Sequence, residues 1–144
     1  MKTKWVIVAL LALIGLLLAG CRGLGLYDKS QEPVITVAKG LQPVIAWTPD
    51  QAYELNVYEG SEDGDGLGSI WNAKMGDGYE NSLKSPVTYG VPPEGSEVRA
   101  ADPLEAGKTY TVVIHRKDPN RSGDGFTSTG HRYIGKATFT AEVE

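Results

Sequence analysis

Cysteine and histidine are scarce in this chain of 144 residues, and this scarcity limits its chemistry. Cys21 is the only cysteine, so no disulfide bond forms within the chain and its stability must come from an apolar core. The two histidines are His115 and His131. Because zinc usually takes three or four protein ligands, carboxylates would have to complete any zinc site, and we predict none.

An excess of basic residues is also lacking. Residues 21–144 contain 12 Lys and Arg residues against 18 Asp and Glu residues, a net charge of −6. Residues 50–102 hold 11 acids and three bases, whereas residues 104–144 hold six bases and five acids. Nucleic acids are bound by basic surfaces, so we exclude nucleic acid as a partner.

Helical periodicity is absent after residue 20. Short runs instead alternate apolar and polar side chains between turns, the pattern of β-strands. We expect an all-β fold, a sandwich of two antiparallel sheets, with Trp47 in the core and with Tyr110, Val112 and Ile114 facing inward. The seven predicted strands are residues 33–37, 43–47, 53–58, 69–73, 86–89, 110–116 and 133–141.

The one long apolar run lies at the start of the chain. Lys2 and Lys4 precede the apolar residues 5–18, and Leu18-Ala19-Gly20-Cys21 follows. A charged start, an apolar middle and small residues at the cleavage site are typical of a secretory signal peptide, here residues 1–20. The 16 apolar or small residues at 5–20 fall short of the roughly 20 needed to span a bilayer.

Leu18-Ala19-Gly20-Cys21 resembles the lipobox of bacterial lipoproteins. The resemblance implies that a diacylglycerol alkylates the Cys21 thiol, that the chain is cut before Cys21, and that the new amine is acylated. Two or three acyl chains hold a protein stably in the lipid bilayer. Asp after the lipidated Cys retains lipoproteins in the inner membrane of enteric-type bacteria. Because Arg22 stands there, an outer-membrane location in the cell envelope is implied if the source has one.

Two segments resemble immunoglobulin-like and fibronectin type III domains. Leu104, Gly107 and Tyr110 resemble the tyrosine corner, in which a Tyr hydroxyl ties an inter-sheet turn to its own strand. Residues 43–49 and 53–58 look like strands B and C. The resemblance implies a fibronectin type III-like sandwich over residues 33–144, joined to Cys21 by a flexible tether of residues 21–32. It carries no activity with it.

The loop at residues 117–132 is a candidate binding site because it is much longer than a hairpin needs. It carries Arg121 and Phe126, residue types that anchor interfaces, and His131 lies near its end. In a fibronectin-like domain this loop shares a pole with Asp50 and with the tether. A flexible insertion is the alternative.

The resemblance to fibronectin-like domains also implies that basic and acidic residues lie at opposite poles of the domain. Arg116, Lys117, Arg121 and Arg132 are expected near the lipid anchor, where anionic headgroups attract basic side chains. The acidic residues at 59–68 are expected at the opposite pole.

Asp63, Asp65 and Asp77 are weak candidates for calcium, which takes six or more oxygen ligands. The spacing fails the EF-hand pattern, because Lys74 stands in the twelfth place, where a glutamate belongs. Gly-Asp-Gly sequences are also good turns. We therefore predict a solvated loop and no cofactor, and calcium remains the alternative.

No catalytic residue is predicted. Ser122, Asp124 and His131 have the residue types of a hydrolase triad, but no nucleophile-elbow pattern accompanies them. We expect a non-catalytic binding or scaffolding protein of the bacterial cell envelope with a protein partner. The alternatives are a periplasmic enzyme or enzyme inhibitor, and a module that binds glycan through some of its aromatic rings: Tyr58, Trp71, Tyr79 and Tyr89.

Overall fold

The computed structural model describes residues 27–60, 68–75, 80–119 and 132–143. Within these ranges the chain forms β-strands, one 3-10 turn at Lys29–Gln31 and no α-helix, so the predicted all-β class is confirmed. The strands are β1 (Val34–Val37), β2 (Val44–Thr48), β3 (Gln51–Ala52), β4 (Glu54–Glu59), β5 (Trp71–Met75), β6 (Leu83–Lys84), β7 (Val87–Thr88), β8 (Ser96–Arg99), β9 (Thr109–Lys117) and β10 (Arg132–Thr140). The predicted signal peptide, residues 1–20, for which a helix is expected, lies outside the described residues.

The strands form three antiparallel sheets. One has the order β1-β2-β7, a second has the order β10-β9-β4-β5-β8, and β3 pairs with β6 in a small third sheet. All seven predicted strands are present with ends shifted by a few residues, whereas β3, β6 and β8 were not predicted. These three are short, and their strand structure depends on partners far away in sequence, such as Gln51 opposite Lys84.

The two larger sheets share one apolar core. Ile45 and Trp47 of β2 pack in the same buried cluster as Leu55 of β4 and Val112 and Ile114 of β9. The inward positions predicted for Trp47, Val112 and Ile114 are therefore confirmed. Burying a side chain of this size contributes roughly 1.5–3 kcal/mol, so the cluster supplies the stability that disulfides do not.

The other face of the five-stranded sheet is less open than alternation predicts. Thr111 and Val113, whose side chains alternate with the core residues of β9, are buried as well, and so is Asn56 of β4. β4 and β9 are central strands, and side chains of neighbouring strands flank both of their faces. On the edge strand β8, Glu97 and Arg99 remain exposed.

The turn before β9 is fixed by Tyr110. The Tyr110 hydroxyl accepts a hydrogen bond from the Glu105 backbone N–H at 2.9 Å, so it ties the turn to its own strand as predicted. Gly107 has φ of 83°, in the left-handed region that favours glycine. One implication of the resemblance is wrong: the turn does not join two sheets, because β8 before it pairs with β5 and lies in the same sheet as β9.

Candidate functional site

One end of the domain brings together the described parts of the predicted binding region; we call it the Asp50 pole. Val34 lies opposite Thr48, so the chain enters β1 beside the turn that carries Asp50. Lys117 lies opposite Arg132, so both ends of the 117–132 loop emerge at the same end. The structure thus places Asp50 near the base of the loop that carries Arg121, Phe126 and His131, which themselves lie outside the described residues.

Arg116 joins three segments at this pole. Its side chain is 6% exposed. The guanidinium donates to the backbone carbonyl of Gln51 and, at 3.3 Å, to the side-chain oxygen of Gln31. Burial lowers the pKa of Arg116, and the nearby Asp50 carboxylate opposes that shift. The expectation that Arg116 offers a basic surface to headgroups is wrong, because its strand position alternates inward with Ile114.

Residues 27–32, part of the predicted tether, contact the end of the five-stranded sheet. The Tyr27 and Tyr133 ring centroids are 5.0 Å apart, and the Asp28 backbone N–H donates to the Tyr133 hydroxyl at 3.1 Å. The Asp28 carboxylate caps the following 3-10 turn by accepting from the Ser30 N–H at 3.0 Å. The Tyr27 hydroxyl donates to the Glu32 carboxylate, which raises the pKa of Tyr27 to about 12.

Asn81 holds the end of β9 at the same pole. Its side-chain nitrogen donates to the Lys117 carbonyl at 2.7 Å, and its side-chain oxygen accepts from the Lys117 N–H at 2.8 Å. The two bonds reproduce the pairing that a neighbouring strand gives a backbone residue. The base of the 117–132 loop is therefore held firmly at its β9 end.

A groove of about 520 Å³ opens on the side where β7 and β8 are edge strands. Its apolar wall includes Met75, Leu83, Val87 and Val91, and Val91 is exposed. Lys84 and Glu94 place one charge of each sign on its lining. Sequence analysis did not find this groove, because its walls come from short elements that only tertiary packing brings together.

His115 lies on the outer face of β9, opposite Glu54 of β4. Its ring centroid is 5.9 Å from that of Tyr53, and its Nδ1 is buried without a hydrogen-bond partner among the residues that the structure describes. Burial lowers the pKa of His115, which Glu54 opposes and Arg132 reinforces. No group of three or more His, Cys, Asp or Glu residues able to hold a metal occurs in the part of the chain that the structure describes.

Three aromatic residues considered for glycan binding belong to the interior. Tyr58, Trp71 and Tyr89 are all buried, so these three rings are not exposed for stacking on sugars. Trp71 and Tyr89 meet edge-on with ring centroids 5.1 Å apart, and the Tyr89 hydroxyl donates to the Asp102 carbonyl at 2.6 Å. Tyr79 lies outside the described residues.

Several further predictions fall on residues that the structure does not describe. They concern lipidation and catalytic or calcium candidates: Cys21, Asp63, Asp65, Asp77, Ser122 and Asp124. Within the described ranges, no helix has the length and apolar character needed to cross a bilayer. Comparisons with protein-family models, with curated proteins and with solved structures give no match.

Proposed function

We propose that the chain is a lipoprotein of the bacterial cell envelope, anchored through acylated Cys21 and acting by non-catalytic binding or scaffolding. The observation that carries this proposal is Leu18-Ala19-Gly20-Cys21 after a charged start and an apolar run. The sequence alone supplies it. The folded part adds that a β-domain begins at Val34, 13 residues after Cys21.

The domain is interpreted as an immunoglobulin-like sandwich of the fibronectin type III kind. Supporting this, β1-β2-β7 and β10-β9-β4 follow the A-B-E and G-F-C orders of such sandwiches. Buried Trp47 on the second strand and the Tyr110 hydrogen bond also support the interpretation. β5 and β8 extend the second sheet beyond β4.

A protein partner is favoured over a glycan. The apolar wall of the groove offers a protein segment side chains to pack against, including Met75 and Val91. The buried rings of Tyr58, Trp71 and Tyr89 leave less aromatic surface for sugars. An apolar centre with a polar rim is the usual anatomy of a protein–protein interface.

The anchoring half of the proposal is tested by metabolic labelling with an alkyne fatty acid in a bacterium that has two membranes. The wild-type chain should carry the label and partition into the detergent phase of a Triton X-114 extract. Cys21→Ala should lose both properties. An unlabelled wild-type chain in the aqueous phase would rule out the lipid anchor.

The partner class is tested with a photo-crosslinking residue at Val91, in the groove, and a matched one at Thr138, which is exposed on β10. A protein adduct in intact cells at Val91 and not at Thr138 supports a protein partner. Retention of the chain on envelope glycans, with no adduct at Val91, supports the glycan alternative instead.

A further inference from the structure

Resting on the proposed anchor at Cys21, we propose that residues 27–33 form a clasp that keeps the Asp50 pole toward the bilayer. The opposite end, which we call the Glu59 pole after Glu59, Glu105 and Lys108, is then presented to the envelope. The tether therefore sets the orientation of the domain on the bilayer as well as attaching it. This orientation determines which loops are accessible to a partner.

The clasp closes on two residues that the fold already holds in place. Tyr133 is fully buried and receives both the Tyr27 ring and the Asp28 N–H. Arg116 is fixed by the Gln51 carbonyl and donates in addition to Gln31. Because these partners are already ordered, most of the entropy cost of closing falls on the clasp itself.

Hydrogen bonds within the clasp also hold its conformation. The Asp28 carboxylate accepts hydrogen bonds from both the N–H and the hydroxyl of Ser30, at 3.0 Å and 2.7 Å. The Glu32 N–H closes the 3-10 turn by donating to the Lys29 carbonyl at 3.2 Å. The chain then passes through Pro33, which packs against Gly135, and enters β1 at the next residue. The junction between the clasp and β1 is therefore closely constrained.

Closing the clasp shortens the distance that the chain can span between Cys21 and the domain. Between Cys21 and Pro33 there are 12 residue steps, a maximum reach of roughly 40–43 Å. With the clasp closed, Cys21 and Tyr27 are joined by six residue steps, a maximum reach of roughly 20–22 Å.

The shorter reach excludes an inverted domain. β9 runs from the Glu59 pole to the Asp50 pole over nine residues, which span about 27 Å. A chain that leaves the domain at the Asp50 pole and reaches only about 20–22 Å cannot bring the Glu59 pole to the membrane surface while remaining anchored. An open tether of about 40 Å can do so.

Charge does not decide between the two poles. The Asp50 pole exposes Lys29 and Arg132 together with the acids Asp28 and Asp50. At the Glu59 pole, Lys108 lies 2.9 Å from Glu59 and 2.8 Å from Glu105, so its charge is already paired with carboxylates.

The test compares one donor dye at each pole of the anchored protein. Thr48→Cys and Thr140→Cys change exposed threonines at opposite ends of the sheets, and acylation leaves the new thiol as the only one for labelling. The lipidated chain is reconstituted into phosphatidylcholine vesicles that carry an acceptor dye on their headgroups. We expect strong energy transfer from position 48 and weak transfer from position 140.

Opening the clasp should remove this difference. Combining Tyr27→Ala with Tyr133→Phe deletes the ring contact and the hydroxyl acceptor but keeps the buried ring at position 133. Transfer from positions 48 and 140 should then converge, whereas Thr138→Ala on the same strand should preserve the difference. Equal transfer at both positions in the wild-type chain overturns the clasp, and a chain that does not float with the vesicles overturns the proposed anchor.

Hydrogen exchange tests the clasp without the membrane. In the full chain in detergent, the Asp28 amide should exchange slowly, and Tyr133→Phe should speed its exchange at least tenfold while the melting temperature stays near that of wild type. An Asp28 amide that exchanges at an unprotected rate in the wild-type chain refutes the clasp whatever the state of Cys21.

Discussion

The carbonyl oxygen of Pro33 lies 2.1 Å from the point that a Cβ atom at Gly135 would occupy. The Cβ of Pro33 is also only 2.7 Å from that point, so two atoms of one residue fill the space of the missing side chain. At this place the chain entering the edge strand β1 passes against the edge strand β10 of the other large sheet. Glycine is needed here for close approach of two backbone segments.

Gly135→Ala should lower the free energy of unfolding by about 1–3 kcal/mol, because backbone must move to admit the methyl group. Gly68→Ala is the control, since among the described residues, its chain neighbours apart, no atom lies within 4 Å of the corresponding Cβ there. Urea denaturation of both variants measures the effect. Equal stabilities for the two variants would contradict the close packing of Pro33 on Gly135.

Tyr110→Phe should cost about 0.5–1.5 kcal/mol of stability, because the Glu105 N–H loses its acceptor while the ring remains buried. Thr138→Val removes a hydroxyl from an exposed position of β10 and serves as the control. Chemical denaturation compares the two. A loss no larger for Tyr110→Phe than for Thr138→Val would show that the hydrogen bond does not stabilise the turn.

Val112→Asp should leave the domain unfolded. Val112 is 0% exposed in the shared core, and an unpaired carboxylate there has no partner to offset its loss of hydration. The total stability of a domain is typically about 5–15 kcal/mol, so the free-energy cost of burying this carboxylate is large enough to unfold it. Thr138→Asp should fold normally. A cooperative melt of Val112→Asp near the wild-type temperature would refute the inward position of Val112.

His115 should make the domain less stable in acid. Burial lowers its pKa in the folded state, so below the ordinary value of about 6.5 the unfolded chain binds the proton more readily. Stability is therefore fully present above pH 6.5 and falls as the pH drops toward the folded pKa. Urea denaturation between pH 5 and 8 should show this loss in the wild type and a smaller loss in His115→Gln. If the free energies of unfolding of the wild type and His115→Gln fell equally with pH, His115 would be excluded as the cause of the acid sensitivity.

The all-β class was predictable because the signals for it are local. Alternation around Val112 and Ile114, and turns rich in glycine and proline, act over a few residues and need no knowledge of distant partners. β3 and β6 escaped prediction for the opposite reason. A two-residue strand such as Gln51–Ala52 exists only because residues 83 and 84 fold back beside it.

The contacts at the Asp50 pole were only partly predictable. Alternation assigns Arg116 to the inner face, but its charge suggests the surface, and only the distant carbonyl of Gln51 resolves the conflict. The sequence contains one local signal for the clasp, Asp28-Lys29-Ser30, in which the Asp side chain accepts a hydrogen bond from the backbone two residues later. Its receptor, Tyr133, lies 105 residues away from Asp28, and no local pattern joins them.

The intact mass of the mature chain, isolated from membranes of a bacterial host, tests the central claim most directly. A lipid-anchored domain predicts a chain that begins at Cys21 and carries the added mass of a diacylglycerol, with or without a further acyl group on its amine. A mature chain that begins at another residue, or that begins at Cys21 without lipid, would contradict the account.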